Sequence, residues 1–297
     1  MKKVFLFTLP VYLLISSCNR DKDNPDAYGT FEATEVTVSS QANGRLLFLN
    51  VEEGQVIDSN ILVGIVDTLD LAIRKSVTRD QQLATAARRD DLAAQIAVQE
   101  QNKTNILVEK ARIERLLKDG AATTKQLDDI NANLKLADKQ IASIKSQYAS
   151  LDAQVSTFNK QIDQINNSIV DAHIINPIKG TVLTKYAEPT EITTFGKPVY
   201  KIADLTSLDL RVYVSGAQLP YIKIGQKVKV HYDKDENTNS TAEGFVTWIS
   251  ETAEFTPKTI QTKEERVNLV YAAKVRTKND GTLKIGMPGD IRFMPSK

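Results

Sequence analysis

The sequence predicts an α+β chain in which two β-rich segments bracket one long antiparallel α-helical hairpin, with a small antiparallel β-barrel after them. Three observations carry that prediction. No proline lies between Pro25 and Pro177, and Gly120 is the only glycine between Gly64 and Gly180. From Leu127 onward, apolar residues recur at alternating steps of three and four. Beyond residue 207, short alternating apolar runs are separated by turn residues.

The N-terminus is built for export. Met1-Lys2-Lys3 is positive, and Val4 to Ile15 (VFLFTLPVYLLI) is an apolar stretch of 12 residues. A membrane-spanning helix needs about 20 residues, so this stretch fits a signal-peptide core instead. Ile15-Ser16-Ser17 then leads to Cys18, the only cysteine. An aliphatic residue, two small residues and Cys look like a bacterial lipobox. The alternative is an ordinary secretory signal that happens to contain Cys. A lone thiol cannot form an internal disulfide, which favours the lipobox. Several acyl chains anchor a protein stably where one does not. Residues 1–17 are therefore expected to be a signal peptide, and residues 18–29 a polar, lipidated tether.

The breaker-poor middle, residues 68–171, is rich in Ala, Gln, Leu, Lys and Asp and reads as helix. Gly120 supplies a helix C-cap, and Thr123 or Thr124 an N-cap. The expectation is two helices, about 69–118 and 124–171. In the second, Leu127, Ile130, Leu134, Ala137, Ile141, Ile144, Tyr148, Leu151, Val155, Phe158, Ile162, Ile165 and Ile169 form a coiled-coil seam. The first helix reads as less regular: Leu92, Ile106 and Ile113 share one phase with Thr85 and Gln99, while Val77, Leu83, Ile96 and Leu117 fall elsewhere. Arms of nearly 50 residues make a hairpin roughly 70 Å long. A helical-bundle core is the alternative; the single narrow stripe speaks against it.

Residues 30–67 and 172–203 are β-rich, with TFEATEVTVS alternating and Asn43-Gly44-Arg45-Leu46 running on to Glu53-Gly54-Gln55-Val56. Residues 204–297 carry short alternating runs at Leu208–Val214, Val228–Tyr232, Gly244–Ile249, Asn268–Arg276 and Ile291–Met294. Five or six such strands suggest a small barrel.

Two β segments bracketing a coiled-coil hairpin resemble the HlyD-type membrane fusion proteins, the periplasmic adaptors of tripartite efflux and secretion systems. Asn43–Val56 looks like the first half of that family's lipoyl-like domain. Ile174-x-Asn176-Pro177-x-x-Gly180-Thr181-Val182 looks like the second half, with Asn176 where Ala is common. Gly196–Val214 resembles the entry to the family's barrel. Phe255–Val267 and Gly286-Met287-Pro288-Gly289 are most like adaptors of ABC exporters. The fold class implied is an elongated α+β chain: a split lipoyl-like domain interrupted by the hairpin, then the barrel. Adaptors that dock on a TolC-like channel often carry Arg, then Leu four on, then Ser seven further. Arg112, Leu116 and Thr123 have that spacing, with Thr in place of Ser. The bland alternative is a solvated Arg112 and a Thr123 that merely caps. The resemblance implies a homo-oligomer of three or six subunits in a Gram-negative envelope. It would be anchored at the inner membrane beside an ABC permease and ATPase, and would reach a TolC-like outer-membrane channel.

Other classes fare less well. With 38 basic and 37 acidic residues the net charge is +1, giving no global attraction for nucleic acid. The two histidines, His173 and His231, are far apart, and no ligand spacing, phosphate loop or catalytic pairing is evident. No catalytic residue, cofactor or metal is expected. A biotin or lipoate carrier needs a lysine at the turn that the hairpin occupies here. A purely structural coiled-coil envelope lipoprotein is the remaining alternative. The anchor is directly testable: the mature chain is expected to begin at Cys18 with acyl groups on its thiol and amine. N-terminal mass spectrometry showing an unmodified Cys18, or a different start, rejects it.

Overall fold

The computed structural model describes residues 25–235, 238–255 and 269–294. In chain order, the strands β1 (Ala27–Glu32), β2 (Glu35–Ser39), β3 (Gly44–Leu49), β4 (Val56–Ile57) and β5 (Leu62–Val66) precede two helices, α1 (Leu69–Lys118) and α2 (Thr124–Asp171). Next come β6 (His173–Ile175), β7 (Gly180–Lys185), β8 (Ile192–Thr193), β9 (Pro198–Ala203) and β10 (Ser207–Ser215). A 3-10 turn, Leu219–Tyr221, leads to β11 (Lys227–Asp235), β12 (Thr238–Phe255), β13 (Leu269–Lys278) and β14 (Pro288–Phe293). The chain divides into two compact units, one formed by Val36–Ile202 and the other by the segments on either side of it.

In the first unit, α1 has 50 residues and α2 has 48, so the arms are about 75 and 72 Å long. Gly120 sits at φ +71, a conformation that costs glycine little. There the Ala121 N–H donates to the Leu116 carbonyl (2.8 Å) and the Gly120 N–H to the Leu117 carbonyl (3.2 Å). These two bonds are a Schellman motif, and they satisfy carbonyls that the helix end leaves over. Every seam position expected in α2 is buried or half-buried, with Ala137, Ile141 and Val155 buried outright.

The α1 side is more regular than its apolar residues alone suggest. Its half-buried positions, Ala86 and Glu109 beside the stripe excepted, run Leu71, Lys75, Thr78, Gln82, Thr85, Arg89, Leu92, Ile96, Gln99, Lys103, Ile106, Lys110, Ile113 and Leu117. Those steps alternate four and three throughout. Ile96 and Leu117, expected out of phase, are therefore in phase with Leu92 and Ile113. The period was hidden because more than half of this seam is polar. No residue of α1 is fully buried.

The rest of this unit is two four-stranded sheets, ordered β2-β9-β7-β4 and β6-β5-β3-β8. Each contains strands from before and after the hairpin. Val56 faces Thr181 across β4–β7, and Leu62 faces Ile175 across β5–β6. Neither half has a core alone: Leu46, Val51, Val63 and Val66 pack with Val182, Val199 and Ile202. One polar node ties the halves together. Asn176 is fully buried, and its Nδ2 donates to the carbonyls of Asp58 (2.8 Å) and Ile178 (2.6 Å). Its Oδ1 accepts from the Tyr200 hydroxyl at 2.9 Å. Main-chain bonds from Asn176 N–H to the Ile61 carbonyl and from Asn60 N–H to the Asn176 carbonyl, each 2.8 Å, complete the clamp.

The second unit is a closed six-stranded barrel in the order β1-β10-β13-β12-β11-β14. Closure leaves no sheet edge to be covered. Alternate residues point inward: Leu208, Leu210, Val212 and Val214 on β10, and Val228 and Val230 on β11, all at most 1% exposed. The sequence boundaries require one correction. Residues up to 29 were expected in a tether, and those from 30 in the split β domain. Instead Ala27–Glu32 completes the barrel, pairing Tyr28 with Tyr213 on one side and Ala27 with Ile291 on the other. Phe31 fills the barrel at 0% exposure. Gly29 permits the close approach, since a Cβ there would lie 1.8 Å from the Arg211 carbonyl oxygen. Alternation marks such a segment as a strand but does not say which sheet receives it.

The Asn176–Tyr200 bond yields a measurement. Tyr200→Phe leaves Asn176 Oδ1 buried without a donor, at an expected cost of about 1–3 kcal/mol in urea unfolding. Burial also pushes the Tyr200 phenol up to about 12. The protonated form is favoured in the folded state, so this contribution is whole below the ordinary tyrosine value of about 10 and fades as pH rises through 12. Wild type is expected to show this extra alkaline loss and Tyr200→Phe to lack it; parallel pH profiles count against the assignment.

Candidate functional site

The hairpin tip is made by the turn chemistry of residues 116–126. Thr123, extended at φ −104 and ψ 153, starts α2. Its Oγ1 accepts from the Gln126 N–H (3.3 Å), while Gln126 Oε1 accepts from the Thr123 N–H (2.8 Å). This reciprocal capping box occupies the Thr123 hydroxyl. Arg112 lies on α1 with its side chain 65% exposed and its Nη2 3.2 Å from Glu109 Oε1. Leu116 lies one turn further along the same strip, 36% exposed. Arg112 and Leu116 thus share a helix face, and Thr123 stands across the turn. The ion pair and hydrogen bonds described for them are local, to Glu109, Ala121 and Gln126, and none joins the three. Together they present a cationic fork and an apolar knob beside a rigidly capped turn. Cys18, the expected lipid site, lies outside the described residues, as do residues 256–267 of the ABC-exporter-like stretch.

Behind the tip, charged pairs cross the seam. Arg89 Nη1 reaches Asp152 Oδ1 at 3.2 Å, Lys103 reaches Asp138 at 2.7 Å, and Lys145 reaches Glu100 at 2.8 Å. Gln82 donates to Asn159 on the same register. The Arg89 guanidinium is held above its ordinary value, first by Asp90 and then by Asp152. Exposed pairs of this kind add little to stability, because water and salt screen them. Their larger effect is to specify which residues face each other. Gln99 Oε1 is buried in the seam without a hydrogen-bond partner. Sequence reasoning missed these pairs, although a signal existed. Arg89 and Lys103 are two heptads apart, and so are Asp138 and Asp152.

Both histidines have structural partners. His173 Nδ1 lies 2.8 Å from the Ile169 carbonyl at the end of α2, and His231 Nδ1 lies 3.0 Å from Asp290 Oδ1 between two barrel strands. Among the described residues, no three His, Cys, Asp or Glu side chains are grouped to hold a metal ion. Nor is any described helix long and apolar enough to cross a membrane.

The chain matches no protein-family model. It is similar to the UPF0194 membrane protein YbhG of Salmonella arizonae, 26% identical over 300 residues that cover 93% of this chain and 90% of that protein. Among solved structures it resembles MacA from Actinobacillus actinomycetemcomitans, with 18% identity, a TM-score of 0.55, and coverage of 89% of this chain and 76% of that one. It also resembles a MacA–MexA chimera carrying the Pseudomonas aeruginosa MexA α-hairpin domain, with 20% identity, a TM-score of 0.57, and coverage of 89% and 78%. The chain shares its fold with those two solved structures.

The cap at Thr123 is separable from any contact the tip makes. Thr123→Ala is expected to destabilise the first turn of α2 by about 1 kcal/mol, and Thr123→Ser to preserve it. Amide hydrogen exchange at Gln126 and Leu127 reads the difference; unchanged exchange in the alanine variant shows that the box contributes nothing.

Proposed function

We propose that this chain, whose fold is that of the periplasmic adaptor proteins, couples an inner-membrane transporter to an outer-membrane channel without doing chemistry itself. The observation that carries the reading is the hairpin. Two arms of about 75 and 72 Å, held in one register and ending in an exposed, capped turn, are a spacer of periplasmic scale. In this reading Cys18 carries the acyl anchor in the inner membrane. The barrel and C-terminal strands meet the transporter, of the ABC type, and Arg112, Leu116 and Thr123 meet a TolC-like channel. The likeness of residues 255–267 and 286–289 to ABC-exporter adaptors supports the transporter class. A ring of three or six copies would close the conduit. The exposed strip of Leu69, Ile73 and Val77 on α1, 66%, 55% and 52% exposed, gives neighbouring hairpins apolar surface to share.

The test is at the tip. Arg112→Asp or Leu116→Asp places a carboxylate in a contact that must lose water. Export is expected to fall about tenfold or more, equivalent to at least roughly 1.4 kcal/mol of lost docking, with folding, acylation and transporter binding unchanged. Normal export in both variants removes the tip from the mechanism and favours the structural-lipoprotein reading.

A further inference from the structure

One end of the barrel carries apolar side chains that no packing within the barrel explains. In the segment from Leu219 to Gln226, Tyr221 is 79% exposed and Ile224 is 70% exposed, while Ile222 between them is buried at 6%. This segment is fixed in place. Pro220 lies in its 3-10 turn, the Tyr221 N–H donates to the Gln218 carbonyl (3.0 Å), and the Gly225 N–H donates to the Val246 carbonyl (2.7 Å). The exposure of Tyr221 and Ile224 is therefore a property of the built loop rather than of a frayed end. Tyr28, 65% exposed on β1, and Leu269, 53% exposed at the first position of β13, belong to the same end of the barrel. Lys223 lies within the loop and Lys227 directly after it, both exposed.

The chain's route out of the barrel says what lies beside this end. Gln218 Nε2 donates to the Asp26 carbonyl at 2.8 Å, and Asp26 Oδ2 accepts from the Phe293 N–H at 2.7 Å. Asp26 is thus pinned against the loop, and the N-terminal chain leaves from here. Cys18 is eight residues before Asp26. Even fully extended, that length reaches only about 28 Å. We infer that the loop bearing Tyr221 and Ile224 is a membrane-interface contact, seated at the headgroups of the leaflet that holds the acylated Cys18. The inference rests on the lipid-anchor reading. Tyrosine prefers the headgroup level, aliphatic tips enter the acyl boundary, and lysines face anionic lipid. Two contacts, one covalent and one by this loop, fix the orientation of the barrel on the membrane as well as its distance from it.

The experiment uses the full mature chain in protein-free vesicles of phosphatidylethanolamine and phosphatidylglycerol. Trp248 is the only tryptophan. Moving the fluorophore with Trp248→Phe and Tyr221→Trp is expected to give emission that brominated acyl chains quench at least twofold more than they quench Trp248 in the unaltered chain. Quenching no greater than that of Trp248, in a sample that floats with the vesicles, overturns the proposal. The anchor is judged separately, by the mass of the N-terminus. If no acyl group is found, the loop is tested in the unacylated chain. Wild type is then expected to float in part with the vesicles, and a Tyr221→Asp, Ile224→Asp double variant to lose at least tenfold of that binding. Equal flotation of the two overturns the loop contact, as does binding to native membranes but never to protein-free lipid, which assigns the loop to a protein partner.

Discussion

Gly120 at φ +71 is the constraint from which the larger unit follows. Because the chain can turn left-handed there, α1 ends with its last carbonyls bonded and α2 begins at Thr124 with its first amides capped. The arms then run back alongside each other in one register. Only that return brings β6 beside β5 and β7 beside β4, and only then does Asn176 reach the carbonyl of Asp58. A slip of one residue along either arm would turn its seam by about 100°. The split β domain is therefore a consequence of the distant turn as much as of its own strands.

Why the seam is so polar follows from the same geometry. An all-leucine seam would tolerate several alignments that differ by a heptad. Arg89, Lys103 and Lys145, each matched to a carboxylate on the other arm, reward one alignment above its neighbours. The unpartnered Gln99 Oε1 costs stability without improving that choice. A hairpin with no fully buried residue in α1 is loose as a core, but it is well specified as a ruler.

Much of this was legible in the residue order. The missing prolines, the lone Gly120 and the α2 heptads placed the hairpin, because long helices depend on local signals. The barrel strands after 207 were legible through alternation and turn residues. Three things were not. The phase of α1 was masked by Lys75, Gln82, Arg89, Gln99 and Lys103 at inward positions. The destination of Ala27–Glu32 depends on partners at residues 209–213 and 288–291, which no local pattern identifies. Asn176 looked like a departure from a common alanine, and only its four side-chain hydrogen bonds show why an amide belongs there. At the tip, the spacing of Arg112, Leu116 and Thr123 was readable, while the engagement of the Thr123 hydroxyl in a cap was only an alternative until its geometry was seen.

Closing the barrel with β14 beside β1 makes the arrival of β14 a condition for sealing it. Ala27 pairs with Ile291, so a polypeptide emerging from its N-terminus holds β1 without its second neighbour until residues 288–291 arrive. The contacts of the hairpin are complete much earlier. A copy cut short near residue 287 lacks β14 and leaves β1 and β11 with open edges, surfaces that invite aggregation and proteolysis. The same closure that spares the finished barrel any edge thus exposes a barrel that still lacks β14.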